Sequence, residues 1–98
     1  MFKFPRERIT WEEAKNTSNR AKHAIRFEEA LDVFADPWAI YAFDTDHSAS
    51  EDRYRVIGIG RKLRILLVVF AVREPDHLRI ISARKATRLE QQAYEKSR

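Results

Sequence analysis

Hydrophobic spacing in the first third of the chain predicts two consecutive helices. Thr10 stands at the start of the first, and Glu13 three residues later can reach back to it, which is the arrangement of a capping box. This helix would run to about His23. Its inward-facing side chains would be Trp11, Ala14 and Ala21.

A shorter helix is predicted over residues 27–34. Four apolar side chains would share one of its faces: Phe27, Ala30, Leu31 and Phe34. The Asp36-Pro37 step ends it, because a residue before proline disfavours the helical conformation. The N-terminal part of the chain is therefore predicted to be mostly helical.

Strand patterns occupy the middle of the chain. Four segments have the composition of strands: residues 38–43, 53–60, 65–72 and 78–83. In the second segment, alternation places four side chains on one face: Arg53, Arg55, Ile57 and Ile59. The third segment is continuously apolar, as expected of a central strand covered on both faces.

The connections between these segments favour antiparallel pairing, because the turns at residues 60–62 and 74–77 are of hairpin length. A final helix is predicted to begin at Thr87, where Thr87 and Glu90 form a second capping box. The expected fold is one α+β domain over residues 1–98, with two N-terminal helices, an antiparallel sheet of about four strands and one C-terminal helix.

Composition restricts the class of protein. The 98 residues include no cysteine, which excludes disulfides and thiolate metal sites and favours a reducing compartment. No apolar signal segment opens the sequence. Its longest apolar run, residues 65–72, is far shorter than the ~20 residues that cross a bilayer. The expectation is a cytoplasmic protein without membrane association.

Charge is distributed unevenly along the chain. The net charge is +4, but residues 1–52 carry 7 Lys/Arg and 11 Asp/Glu, whereas residues 53–98 carry 12 and 4. The basic half would attract a phosphate backbone. A solvated basic surface without any ligand explains the same distribution equally well.

Evidence for a metal site or a serine nucleophile is weak. Asp44, Asp46 and His47 share a loop and could hold a divalent cation, but such a loop is more often simply polar. Ser48 and Ser50 in the same loop have no neighbouring group that marks a nucleophile. The sequence therefore predicts no metal and no cofactor.

Arginine is the residue type that suggests a chemistry. Six arginines lie on or beside the predicted sheet: Arg53, Arg55, Arg61, Arg64, Arg79 and Arg84. RNA can be cut without a metal when its own 2′-hydroxyl attacks the neighbouring phosphate, and guanidinium groups suit the negative charge that develops there. The alternative is an exposed strand face that only solubilises the fold.

Proton transfer in such a reaction requires other groups, since an arginine pKa above about 12 suits it poorly. The available groups are Glu51, His47, His23, Lys85 and Tyr94. The predicted catalytic residues are Arg53, Arg55, Arg61, Arg84 and Glu51. The predicted substrate-binding residues are Arg79, Lys85, Tyr94 and His23.

The predicted strand order separates some of these arginines. Arg53 begins its strand and Arg84 follows the last strand, so a simple meander puts them at opposite ends of the sheet. Either sheet twist curls one face into a basin that contains Arg55 and Arg84, which we favour, or the site uses Arg84 with Arg61.

Motifs over nearly the whole chain match one known family. The matching segments are Thr10-Trp11-Glu12-Glu13-Ala14, Asn19 with Lys22-His23, Phe27-Glu28-Glu29-Ala30, Val33-Phe34-Ala35-Asp36-Pro37, Asp46-His47-Ser48, Glu51 with Arg53-Tyr54, Ile57-Gly58, and Ile80-Ile81-Ser82-Ala83-Arg84-Lys85-Ala86-Thr87 with Glu90 and Tyr94. The sequence thus resembles the BrnT family of toxins from bacterial type II toxin–antitoxin pairs.

The resemblance implies a RelE-like ribonuclease fold, toxicity through RNA cleavage, and neutralisation by a DNA-binding antitoxin of the BrnA type. An assembly of two toxins and two antitoxins is expected, which would contact DNA only through the antitoxin. The family usually has glycine where this chain has Ala24, and an N-capping Ser or Asp where it has Arg26. Both departures should lower local stability rather than activity.

Two other functions compete with an RNA-cutting toxin. One is a nucleic-acid-binding module without chemistry, and the other is a decayed toxin that still pairs with its antitoxin. The presence of Arg53, Arg55 and Arg84 favours chemistry. The strand segments also lack aromatic side chains in positions that look exposed, on which single-stranded nucleic acid would stack.

Overall fold

A five-stranded sheet forms the middle of the molecule in the computed structural model, which describes residues 4–47, 51–73 and 76–98. The helices and strands of these ranges are β1 (Ile9–Thr10), α1 (Glu13–His23), α2 (Phe27–Ala30), β2 (Ile40–Phe43), β3 (Arg53–Ile59), β4 (Ile65–Arg73), β5 (His77–Lys85) and α3 (Arg88–Lys96). Short 3-10 turns lie at Arg6–Arg8, Leu31–Ala35 and Thr45–His47. The α+β class is confirmed.

The strand order is β1-β5-β4-β3-β2, so β4 is the central strand, as predicted. β2 to β5 pair antiparallel, whereas β1 runs parallel to β5. The parallel pairing joins Ile9 to Leu78 and Thr10 to Arg79. The prediction of about four antiparallel strands was therefore wrong in detail: within the described ranges the sheet is mixed and has a fifth strand.

The first helix begins later than predicted. Thr10 lies in β1, and its hydroxyl donates to the carbonyl of Leu78 at 3.3 Å. Glu12 occupies the N-cap of α1 and makes no side-chain capping bond to any described residue. The predicted Thr10–Glu13 capping box is wrong, because pairing with β5 removes Thr10 from the N-cap position.

The buried side of α1 is polar, and of the three residues predicted to face inward only Trp11, which precedes the helix, packs against the core. Ala14 and Ala21 are exposed. Asn16 and Asn19 are buried instead, each 5% exposed. The Asn19 amide donates to the carbonyl of Ala83 at 2.8 Å and accepts from its N–H at 3.0 Å. α1 therefore pairs with a strand edge, whose backbone groups require polar partners that an alanine cannot supply.

The second helix lies where it was predicted but changes type along its length. α2 covers only four residues before the 3-10 turn continues to Ala35. Arg26 at its N-cap gives no side-chain cap, and the N–H of Phe27 donates to Asn16 Oδ1 at 2.8 Å. Ala24 ends α1 at φ 59°, in the left-handed region that favours glycine.

The hydrophobic core lies between α2 with its 3-10 continuation and one side of the sheet, which we call the helix face. Its buried side chains include Phe27, Ala30, Val33, Val56, Leu66, Val68, Phe70, Leu78 and Ile80. The capping box of Thr87 and Glu90 at the start of α3 is confirmed. No helix in the described ranges is long and apolar enough to span a membrane.

A β-bulge decides which arginines reach the other side of the sheet, which we call the open face. The β4–β5 register shifts between Val69 and Phe70, so that Ile81 is an extra residue on β5. Alternation alone would place Arg79 and Arg84 on opposite faces, because they are an odd number of residues apart. The bulge brings both to the open face.

Candidate active site

Three rows of side chains cross the open face from β3 through β4 to β5. The rows are Arg53–Ala71–Arg79, Arg55–Val69–Ser82 and Ile57–Leu67–Arg84. Since paired residues of neighbouring strands point to the same side, the structure brings four predicted site residues onto one surface. These are Arg53, Arg55, Arg79 and Arg84.

Glu51 lies beside the first row and faces several guanidinium groups. Its carboxylate accepts from Arg79 Nη2 at 2.8 Å and from Arg73 Nη2 at 3.2 Å. Arg53 Nε lies 3.8 Å from the same carboxylate. One negative charge thus meets three positive charges on side chains that are all partly exposed to solvent. We call this group the Glu51 cluster.

Arg55 occupies the middle row, and its side chain is exposed. It borders a hollow of about 180 Å³ whose other walls are Ile40, Ala42, Ile57, Leu67 and Glu90. The apolar floor comes from the strands, and the carboxylate comes from α3. Arg55 is therefore a guanidinium at the mouth of a shallow, largely apolar depression.

Arg84 is held in place by α3. Its guanidinium donates two hydrogen bonds to the Glu90 carboxylate, at 2.9 and 3.0 Å. These bonds raise the pKa of Arg84 and lower the pKa of Glu90. Glu90 Oε1 also accepts from the N–H of Thr87 at 2.8 Å. The capping box of α3 thereby fixes an arginine of the open face.

The pairing of the strands shows how far apart these arginines lie, which the sequence alone did not decide. Arg53 and Arg84 lie two rows apart, with β4 between their strands. Arg55 and Arg84 are one row closer, and their Cα atoms are roughly 12 Å apart by ordinary strand spacing. Both border the side of the open face next to Glu90.

Arg61 and Tyr94 lie away from this surface. Arg61 is in the β3–β4 turn, where its N–H donates to the carbonyl of Glu29 on the helix face at 3.0 Å. Tyr94 is fully buried, and its hydroxyl donates to Asp36 Oδ2 at 2.6 Å. Burial and then this hydrogen bond raise the pKa of Tyr94 to about 12. Tyr94 thus belongs to the framework that holds α3.

His23 lies at the margin of the open face, but Lys85 does not. Lys85 is exposed at the end of β5 and pairs with Leu66 of the core, so its side chain points to the helix face. His23 ends α1 and borders a hollow of about 270 Å³ with Lys15, Lys22 and Ser82. Ser82 belongs to the middle row, so this side of α1 adds a basic rim along the edge of β5.

Arg73 and His77 were missed as candidates. They pair with each other at the ends of β4 and β5, one row beyond Arg53 and Arg79. The sequence predicts a turn over the segment that ends at His77, whereas β4 extends to Arg73 and β5 begins at His77. In a strand every second residue points to the same face, so Arg73 shares the face of Leu67 and Ala71. This alternation was the signal that could have placed Arg73 on the open face.

The candidate metal loop receives no further support from the described side chains. Asp44 is 4% exposed, and its N–H donates to the carbonyl of Arg53 at 2.8 Å. Ser48 and Ser50 lie outside the described residues, as does part of the predicted 74–77 turn. Within the described ranges, no three His, Asp or Glu side chains converge as a metal site would require.

Known proteins share both sequence and fold with this chain. Residues 11–90 match the family model described as ribonuclease toxin, BrnT, of type II toxin-antitoxin system. The crystal structure of the Brucella abortus ribonuclease toxin BrnT matches with a TM-score of 0.60 and 25% identity, over 90% of this chain and 100% of that one. No curated protein sequence matches.

Proposed function

The chain belongs to the BrnT family of ribonuclease toxins from type II toxin–antitoxin systems, and from this premise we propose that it cleaves RNA on its open face. The observation that carries the proposal is the Glu51 cluster, where one carboxylate faces three arginines. The resulting surplus of positive charge attracts a polyanion. The hollow beside Arg55 gives the nucleotide an apolar surface next to that charge.

The arginines would act on the phosphate. The 2′-oxygen attacks the adjacent phosphorus, the bond to the 5′-oxygen breaks, and a 2′,3′-cyclic phosphate forms. Arg55, one row from the Glu51 cluster, would face the non-bridging oxygens of the cleaved phosphate, and Arg84, a further row away, would hold the next phosphate of the chain. Guanidinium groups grip such oxygens in pairs and stabilise the charge of the transition state.

Glu51 and His77 would transfer the protons. Glu51 is the carboxylate of the Glu51 cluster and accepts the proton of the 2′-hydroxyl. His77 lies in the outermost row beside Arg73 and, when protonated, donates to the leaving 5′-oxygen. Replacement of Glu51 by Gln preserves the size of the side chain but removes the carboxylate that would take up the proton, so a loss of cleavage of about 100-fold is expected.

This mechanism needs no metal and requires the 2′-hydroxyl. Cleavage of a fluorescent RNA by the purified chain should persist in excess EDTA and leave a cyclic phosphate or its opened form. The same RNA with deoxyribose at the cleaved position should be inert. Cleavage of the deoxy substrate, or complete loss of activity in EDTA, would show that a metal-activated water is the nucleophile. Binding of RNA without cleavage would support the non-catalytic alternative.

The partner of the toxin is proposed to be a BrnA-type DNA-binding antitoxin, in an assembly of two toxins and two antitoxins in the cytoplasm. A type II family implies a protein antitoxin. The open face would attract an acidic segment of that protein, which covers the arginines and stops RNA from binding. The toxin would meet DNA only through the antitoxin, and no membrane is involved.

Coexpression with the protein encoded beside the toxin gene tests this partnership. Size-exclusion chromatography with light scattering should give the mass of two copies of each chain. A toxin that elutes alone while its neighbour is present and folded would contradict the proposal.

A further inference from the structure

A second basic depression lies on the helix face, on the other side of the sheet from the proposed cleavage site. It measures about 450 Å³ and is lined by Arg20, Ala24, Arg26, Glu28, Glu29, Arg61 and Lys62. A hollow of about 160 Å³ shares three of these residues, Arg20, Arg26 and Glu28, and extends it along α1. We call the combined depression the hairpin groove, since the β3–β4 turn forms one of its walls.

The hairpin groove has fixed walls. The N–H of Arg61 donates to the carbonyl of Glu29 at 3.0 Å, which ties the turn to α2. Arg64 binds the Glu29 carboxylate with two hydrogen bonds, at 2.7 and 2.9 Å. At Gly60 an added Cβ would lie 2.9 Å from the same Glu29 carbonyl, so glycine permits this close approach. The groove is therefore built into the fold.

Positive charge dominates the hairpin groove. No carboxylate of the described residues lies within ion-pairing distance of Arg20, Arg26 or Lys62. Arg61 has only a long contact of 3.9 Å to Asp32. Of the three carboxylates in the combined lining, Glu13, Glu28 and Glu29, that of Glu29 is taken by Arg64. The groove thus presents three cations, Arg20, Arg26 and Lys62, that form no ion pair with a described carboxylate.

Leu63 adds an apolar side chain to the turn that forms one wall of the groove. It follows Lys62 in the turn, is 84% exposed, and holds φ at 61°, a left-handed conformation that leucine rarely adopts. The hydrogen bond from its N–H to the carbonyl of Gly60 at 3.0 Å closes the turn that keeps it there. A strained, exposed leucine beside a basic groove suits a ligand with both apolar and acidic groups.

We propose that the hairpin groove docks an acidic segment of the protein partner that also carries apolar side chains. The partner is the antitoxin of the proposed function, on which this inference rests. RNA fits less well, because the lining of the groove contains no aromatic ring for base stacking. A polypeptide has backbone N–H groups that can donate hydrogen bonds to the Glu28 carboxylate, which already accepts one from Asn16.

Docking at this site would leave the open face uncovered. One segment of the antitoxin would anchor the complex in the hairpin groove, and another would cover the arginines of the cleavage site. Two linked contacts bind more tightly than either alone, because the second contact becomes intramolecular. Loss of the groove contact should weaken the complex without changing the cleavage of RNA by the toxin alone.

Fluorescence anisotropy of the full chain with two labelled probes tests the proposal. One probe is a short peptide that repeats Glu-Leu-Glu-Ala, and the other is a short oligouridine with 2′-O-methyl groups that block cleavage. The peptide should bind the wild-type chain, and the double variant R20E/K62E should weaken this binding by about ten-fold or more. The control variant R88E/K96E makes the same charge change on α3 and should bind the peptide as the wild type does.

The outcomes separate the alternatives. The proposal is supported if R20E/K62E still binds and cleaves RNA but no longer binds the peptide. Equal loss of the peptide in both double variants, or loss of the oligouridine rather than the peptide, overturns it. The neutral variant R20Q/K62Q provides the same comparison if R20E/K62E fails to fold. A wild-type chain that binds the peptide but never cleaves RNA contradicts the proposed function instead.

Discussion

Glu29 and Glu51 both meet arginines, but on opposite faces of the sheet and in different proportions. Glu29 is 5% exposed and binds one arginine, Arg64, through two short hydrogen bonds. The Glu51 side chain is 26% exposed and lies within 4 Å of three arginines: Arg53, Arg73 and Arg79. The first arrangement balances charge in the interior, and the second leaves positive charge at the surface.

Under the proposed function, this difference distinguishes arginines that stabilise the fold from arginines that would act on RNA, a distinction that the sequence alone does not make. A buried carboxylate with one matched partner stabilises the fold only while that partner is present. A cluster with excess arginines can lose one of them and still keep its carboxylate paired. Arginines on the open face should therefore affect activity more than stability, and Arg64 should show the opposite behaviour.

Replacement of Arg64 by alanine should give the largest change in stability. The substitution leaves the buried Glu29 carboxylate without its partner, and a loss of about 3 kcal/mol in the free energy of unfolding is expected. Urea denaturation followed by circular dichroism measures it. Arg79→Ala is the matched control on the open face and should cost less than about 1 kcal/mol. Equal losses would make the Glu51 cluster a structural element.

Replacement of Arg84 by alanine should lower RNA cleavage by about ten-fold, because it removes the charge that would hold the phosphate next to the cleaved one. The melting temperature of the Arg84→Ala variant should change little, because the side chain of Arg84 is 36% exposed and its ion pair with Glu90 lies near the surface. Arg88→Ala on α3 serves as the control for general loss of charge. Undiminished cleavage by Arg84→Ala would remove Arg84 from the site, and parallel loss of fold and activity would make it structural.

Tyr94 should give a smaller, pH-dependent effect. Tyr94→Phe removes the hydrogen bond to Asp36 and should lower stability at neutral pH by about 1 kcal/mol. The folded pKa of about 12 exceeds the ordinary value of 10.0, so the protonated phenol stabilises the fold below that ordinary value. This contribution is lost as the pH rises towards 12. Unfolding curves that change identically with alkaline pH in both proteins would contradict the assignment.

Ala24→Gly should have the smallest effect, in the stabilising direction. Glycine adopts the φ of 59° at this position without a steric penalty, and a gain of about 0.5 kcal/mol is expected after its larger loss of backbone entropy on folding. Ala21→Gly, in an exposed position inside α1, should instead lower stability by about 1 kcal/mol. Thermal unfolding of the two variants measures this contrast. A loss of stability in Ala24→Gly would show that the helix ends differently.

The elements with a strong local signal were predictable from the sequence. The continuous apolar run marked the central strand β4, and Thr87 with Glu90 marked the start of α3. β1 escaped prediction because two residues show no periodicity, and their pairing with β5 depends on distant contacts. The buried side of α1 escaped it because Asn16 and Asn19 read as surface residues until a strand edge lies beside them.

The candidate site was predictable only in its residue types. Alternation placed Arg53 and Arg55 on one face of β3, but the common face of Arg79 and Arg84 depends on the extra residue Ile81, which has no signature in the sequence. Arg61 was grouped with the other arginines because its position in a turn does not reveal which side of the sheet it contacts.

The single-turnover rate of RNA cleavage in EDTA, measured for the wild type, Arg55→Ala and Arg26→Ala, tests the open face as the site of chemistry most directly. Both replaced side chains are exposed arginines, one on the open face and one in the hairpin groove. We expect Arg55→Ala to cleave about 100-fold more slowly at an unchanged melting temperature, and Arg26→Ala to cleave at the wild-type rate. Wild-type cleavage by Arg55→Ala, or an equal loss in Arg26→Ala, would contradict the placement of the active site on the open face.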